Sequence, residues 1–411
     1  MTQNPHIDCS LVRADFPFLK SSPSQSPLVY LDSAATAQKP RAVIDAMSHF
    51  YENEYATVHR GVYGLCRHAT AKYQRTREQV RAFLNAPKVE EIIFTKGTTE
   101  SINLIAHSFG KVFIDKGDEI LVSAMEHHSN LVPWQLACQE RGAHLKIIPM
   151  NARGELLMED YARLLNPRTR LVAVAHIANS IGTVNPIAEI VQLAHRAGAK
   201  VLVDGAQSAP HFKLDLKSLD VDFFVFSGHK LYGPTGIGVL YGKESLLDQM
   251  PPYHGGGDMV ELVEYASSTY QPLPLKFEAG TPMIAQVIGL GAAIEYLNHI
   301  GIEAIEKHEQ NLVRYAQNKL QNIPGLHFIG QAKEKGALIG FVVEGVHPLD
   351  LAALLDLKQI AIRTGHLCAQ PVMRHFQVSG IARISFGLYN TTAEIDYLCD
   401  TLCEIIPLLK R

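Results

Sequence analysis

Long apolar runs are missing from this sequence: the cleanest are about strand length, far below the roughly 20 residues that a membrane helix requires. An excess of one charge is missing too. The 38 basic and 41 acidic residues leave a net charge of -3, so neither nucleic acid nor an anionic membrane is indicated as a partner. Cysteine is sparse. Cys9, Cys66, Cys138, Cys368, Cys399 and Cys403 are too scattered for a disulfide framework, a usage that belongs in a reducing compartment. The start, Met1 to Asp8, has neither the basic and apolar parts of a signal peptide nor the arginines of a transit peptide. A soluble, cytoplasmic protein is the expectation. Internal repeats and low-complexity tracts are also absent. At 411 residues the chain exceeds a single core, which predicts two domains.

What is present is concentrated in short stretches. Val225-Phe226-Ser227-Gly228-His229-Lys230-Leu231-Tyr232-Gly233-Pro234-Thr235-Gly236 holds Lys230 in a tight turn between two strand-like runs, 221–226 and 237–241. A lysine in a turn is ordinarily a solvated surface residue. Here Ser227 and His229 offer phosphate donors beside the amine, and glycines with Pro234 allow close backbone approach. A desolvated lysine of lowered pKa is what Schiff-base chemistry requires. A second run, 200–204, ends in the carboxylate of Asp204, with Gln207 just beyond. Alone, Asp204 is a turn former. With Lys230 it completes the set that pyridoxal phosphate (PLP) needs: a lysine to hold the aldehyde and an aspartate to keep the ring nitrogen protonated, making the ring an electron sink. Gln207 can then donate to the ring phenolate.

Strand and helix patterns alternate from about residue 91 to 241, predicting a mainly parallel, doubly wound α/β sheet. Gly97-Thr98-Thr99 opens a predicted helix after the strand 91–95. That helix start serves equally as an ordinary cap and as a phosphate cradle of aligned N–H groups. His127 and Asn179 follow two further strands, at the edge where open α/β sheets bind ligands. The histidine suits stacking on a cofactor ring, and the amide suits the phenolate oxygen or substrate. The loop 57–61 adds His59 and Arg60 beside a glycine. Gly289-Leu290-Gly291 begins like a dinucleotide fingerprint but lacks its third glycine and the preceding strand. The division expected is an N-terminal segment, 1–27, ending in a Ser/Pro turn and packed on the small domain. A PLP-binding large domain, 28–297, follows, then a small α+β domain, 298–411, with strands at 338–343, 360–363 and 381–386.

Cys368 stands apart from the other five cysteines, which read as inert. It lies in a glycine-containing loop with Arg363 and His366 nearby, a setting that favours thiolate. No second ligand pair stands at zinc spacing, so no metal is expected. In the run 381–386, period-two alternation puts Ala382, Ile384 and Phe386 on one face and Arg383 with Ser385 on the other. Arg383 is then a solvated edge residue or a bidentate carboxylate clamp, and beside PLP the clamp is favoured.

Val203-Asp204-Gly205-Ala206-Gln207, the stretch from Ser227 to Gly236, and Arg363-Thr364-Gly365-His366-Leu367-Cys368-Ala369-Gln370-Pro371 together resemble the SufS-type (group II) cysteine desulfurases. These lie within the class V aminotransferases, PLP enzymes of fold type I. The resemblance runs from about Val12 to the C-terminus. It implies Lys230 as the cofactor lysine, Asp204 at the pyridine nitrogen, His127 stacked on the ring, and Asn179 and Gln207 at the phenolate. Thr98, Thr99, Ser227 and His229 would hold the phosphate, joined by Thr281 from the other subunit of a homodimer. Arg383 would bind the substrate carboxylate and Cys368 would accept sulfur, with Asn179, His59, Arg60 and Arg363 also lining the substrate side. The implied reaction converts L-cysteine to L-alanine and leaves a persulfide on Cys368. A SufE- or SufU-type protein would then take the sulfur, for iron-sulfur cluster assembly. Selenocysteine lyase and aminotransferase activities on the same fold are the alternatives. Leu367 and Met283 depart from the family's usual polar residues.

Overall fold

The computed structural model describes residues 7–20 and 28–410, so the Ser/Pro turn expected at 21–27 lies outside the described residues. Seven strands build the larger sheet, in the order Ile92–Thr95, Gly238–Gly242, Phe223–Ser227, Lys200–Asp204, Thr169–Ala175, Glu119–Ser123 and His144–Ile148. All point the same way except Gly238–Gly242, which is antiparallel to both neighbours. The central strands are continuous apolar runs because both faces are covered. Phe224 and Phe226 enter one core and Phe223 and Val225 the other. Helices such as Thr98–Phe113 and Ile187–Arg196 supply the covering layers.

Gly289 and Gly291 lie on the helix Ile284–Ile300, which packs against Arg41–His49 and Gly64–Phe83. A Cβ at Gly289 would sit 2.8 Å from Met47 Sδ, and one at Gly291 would sit 2.6 Å from Thr76 Oγ1. These glycines serve close helix packing. The helix Gly64–Phe83 shows no clean apolar period, because its buried stripe includes Thr76 and Arg77.

The smaller sheet is antiparallel, in the order Leu326–Ile329, Leu338–Val343, Ile381–Ser385 and Arg363–Gly365. The single strand expected at 360–363 is instead two. Ile360–Ala361 pairs in parallel with Val29–Tyr30, and Arg363–Gly365 pairs with Ile381–Ser385. The apolar pattern continues across Ile362 while the backbone changes partners there, so composition alone shows no break. Val29 and Leu31, grouped by sequence position with the large domain, pack into the core of the smaller sheet with Ile360 and Ile384. Arg383 lies on an inner strand of that sheet and is buried, which excludes the solvated-edge reading. Among the described residues no helix is long and apolar enough to cross a membrane.

Candidate active site

Parallel strands place their following loops along one edge, and here those loops carry the chemistry. Thr98 follows Ile92–Thr95, His127 follows Glu119–Ser123, Asn179 follows Thr169–Ala175, Asp204 ends Lys200–Asp204, and Lys230 follows Phe223–Ser227. The smaller sheet faces this edge with Arg363, Cys368 and Arg383. All of them, with Thr99, Gln207, Ser227 and His229, line one cavity of about 490 Å3.

Lys230 closes a single helical turn, Gly228–Lys230, pinned by the Gly228 N–H donating to Ile237 O at 2.9 Å and by Gly233 N–H donating to Gly228 O at 2.9 Å. A side chain at Gly228 would lie 2.7 Å from Ile237 Cγ2, so the turn requires glycine there. Burial pulls the Lys230 amine below its ordinary range, against the opposing pull of the Asp204 charge. Burial raises Asp204, while Lys230 and the Ala206 N–H, donating at 2.9 Å, favour its charged form. Gly205 is fixed by Phe224, whose ring a Cβ would meet at 1.9 Å.

Burial, aided by Lys230, brings His127 down to about 4, so its ring is neutral near pH 7. Its Nδ1 accepts from Ser129 N at 3.0 Å, which leaves the ring proton on Nε2. Burial and Lys230 likewise bring His229 to about 4. At the start of Thr98–Phe113, Thr98 N–H donates to Ser227 Oγ at 2.9 Å, and the Thr98 and Ser227 hydroxyls lie 2.8 Å apart. This is a neutral, hydroxyl-rich helix N-terminus, suited to an anion.

Asn179 Nδ2 donates to Leu367 O at 2.8 Å, tying the sheet edge to the cysteine loop. Its Oδ1 is buried with no partner among the described residues. Gln207 Nε2 donates to Ala34 O at 2.7 Å. Cys368 is exposed, and both it and Leu367 adopt left-handed backbone, with φ of 54 and 53. Such strain persists only when the surroundings impose it. Here Cys368 O accepts from His128 N at 2.7 Å, beside the Asn179 bond. Cys403 is also exposed, unlike its helix neighbour Cys399.

Three expected residues do not reach this cavity within the chain. Thr281 lines a separate, smaller pocket with Tyr73 and Phe94. His59 sits edge-on to Tyr73, with ring centroids 5.5 Å apart, and Arg60 Nε pairs with Asp258 at 3.1 Å.

Two further acids lie close to the cavity residues. Glu126 is buried beneath the His127 turn, accepting from Asn130 Nδ2 at 2.6 Å, Ala175 N at 2.9 Å and the Ser123 hydroxyl. Asp32 contacts both cavity arginines, Arg363 Nη2 at 2.8 Å and Arg383 Nη2 at 3.0 Å. Its only sequence signal is an acid at the end of a short apolar run, which looks the same in any turn.

The chain matches the model of the family described as aminotransferase class-V over residues 29–398. It is 50% identical to the "Cysteine desulfurase" of Enterobacter sp. (strain 638), over 97% of this chain and 98% of that protein. It is 50% identical to the "Probable cysteine desulfurase" of Halalkalibacterium halodurans, over 94% and 95% respectively. In structure it is similar to the cysteine desulfurase CsdA of Escherichia coli, with a TM-score of 0.92 and 42% identity over 98% of this chain and 99% of that one.

Proposed function

This chain belongs to the aminotransferase class-V family and is a PLP-dependent cysteine desulfurase, and from that premise we propose that Cys368 is the residue that takes sulfur from L-cysteine. The observation that carries the assignment is the placing of an exposed cysteine, on a strained loop, in the wall of the cavity that holds Lys230 and Asp204.

The residues present fit the cofactor. A half-buried lysine, a buried aspartate, a neutral histidine on the turn bonded to the cysteine loop, and a hydroxyl-rich helix start match an aldehyde, a ring nitrogen, a ring face and a phosphate. The unpartnered Asn179 Oδ1 and Arg383 Nε are polar atoms left for a guest. When bound, PLP supplies an electron sink for charge developing at the substrate Cα.

The protein's own groups then divide the work. Thr98, Thr99, Ser227 and His229 would hold the phosphate. Asp204 would serve the ring nitrogen, His127 the ring face, and Gln207 and Asn179 the phenolate side. Arg383 binds the substrate carboxylate, with Arg363 beside it. Lys230, its pKa lowered by burial, is suited as the base that moves the proton at the substrate Cα. The Cys368 thiolate attacks the substrate sulfur, so an S–S bond forms as the substrate C–S bond breaks. The electron pair and a proton go to the substrate carbon. L-alanine leaves, and Cys368 carries the extra sulfur as a persulfide.

We assign the enzyme to the SufS-type group on its cysteine loop, and its exposed Cys368 to delivery of sulfur to an acceptor of the SufE or SufU type for iron-sulfur cluster assembly. A homodimer accounts for Thr281, His59 and Arg60 lying outside the cavity of their own chain, since a partner copy can supply them. The free, scattered cysteines favour the reducing cytoplasm. The decisive experiment is mass spectrometry after brief exposure to L-cysteine without reductant. A gain of one sulfur mapped to Cys368, with alanine released, is expected. Sulfur on another cysteine, or undiminished turnover in Cys368→Ala, would refute the assignment.

A further inference from the structure

The two cavity arginines occupy directly opposed positions on neighbouring antiparallel strands, Arg363 against Arg383. Like charges facing each other across a strand pair repel, and such a pair is kept only where something offsets it. The offset is Asp32. One carboxylate oxygen accepts from Arg363 Nη2 at 2.8 Å and the other from Arg383 Nη2 at 3.0 Å. Asp32 itself is delivered by the fold. Its backbone bridges to Ser385, two residues after Arg383, and Ser385 N–H donates to Leu31 O at 2.8 Å. Arg383 also donates from Nη1 to Asn179 O at 2.9 Å, while its buried Nε has no partner among the described residues. The arginines line the cavity and Asp32 does not. Of the other titratable groups in the wall, Asp204 faces Lys230, and Cys368 lies on the loop beyond Arg363.

We infer that Asp32 is a positioning and specificity-determining residue, which cancels one of the two guanidinium charges so that the site accepts a substrate with a single acidic group. Two guanidinium charges against one resident carboxylate leave one positive charge, the match for a monocarboxylate amino acid. Without Asp32 the site would hold two, the match for a dicarboxylate. Asp32 also holds Arg363 at the base of the strand that leads into the Cys368 loop, so it fixes the spacing between carboxylate site and thiol.

This inference rests on reading Arg383 as the ligand of the substrate carboxylate. The test is calorimetric binding of L-alanine and of L-aspartate to the PLP-loaded enzyme. In Asp32→Asn the affinity ratio should move toward L-aspartate by about tenfold or more, the scale of a close charge pair. Asp32→Glu should keep the wild-type ratio. Arg363→Gln, which leaves Asp32 to cancel Arg383, should weaken L-alanine by about tenfold and tests the same count even where Asp32→Asn does not fold. An unchanged ratio in Asp32→Asn, or unchanged L-alanine affinity in Arg363→Gln, overturns the inference. If Arg383→Ala binds L-alanine as tightly as the wild type, the carboxylate-site reading itself falls, a result distinct from either.

Discussion

Burial sets the titration of the residues around the cavity, and the signs differ among them. His127 and His229, together with His176, the residue that follows the strand Thr169–Ala175, each protonate at about 4 in the folded protein, against an ordinary value of 6.5, because burial disfavours the imidazolium. Between those values the unfolded chain binds more protons, so these histidines make stability fall as pH drops from about 6.5 to about 4. Glu126 works in the opposite sense. Burial pushes it up to about 8, so the folded protein keeps a proton that the unfolded chain has released above about 4.5. Its contribution therefore declines as pH rises from about 4.5 to about 8. Melting temperatures across pH 4 to 8 should show a shallower acid limb in His176→Gln and a shallower alkaline limb in Glu126→Gln. Unchanged slopes would refute the burial account. At Lys230, replacement by alanine should abolish the protein–cofactor adduct trapped by borohydride and seen in the intact mass.

At the scale of elements, glycine positions decide how closely helices and strands meet. Gly291→Ala adds helix propensity of about 1 kcal/mol. Against that stands a Cβ 2.6 Å from Thr76 Oγ1 and 2.7 Å from Gln79 Oε1, an overpacking that costs about 1–3 kcal/mol. Gln79 is a flexible side chain and can move, whereas Thr76 is buried and cannot. The substitution should therefore be net destabilising, read as a lower urea midpoint with unchanged slope. The cysteine loop is the other element under constraint. Asn179→Ala removes the hydrogen bond that holds Leu367 O, and should slow persulfide formation on Cys368 more than it weakens PLP binding. Rapid-quench mass spectrometry and a PLP titration separate the two effects.

Across the whole molecule, the cavity joins two cores. Its floor belongs to the larger sheet and its roof to the smaller one, so a ligand held between them stabilises both. PLP at about 100 times its dissociation constant should add about 2.7 kcal/mol. The melting temperature should rise on loading, and Lys230→Ala should reduce the rise. The larger sheet was legible in the sequence because its central strands are unbroken apolar runs, most of them separated by helical periods. Lys230, Asp204 and Cys368 stood out because each sits in a short stretch whose neighbours already limit its chemistry. Asp32 did not, since its meaning depends on Arg383, 351 residues away. The split of 360–363 between two sheets was equally invisible, because hydrogen-bond partners leave no mark on an apolar pattern. Sequence alone determined the cofactor chemistry, which local composition encodes. Tertiary structure decided the charge count and strain of the site, since these arise only where strands from opposite ends of the chain come within contact distance.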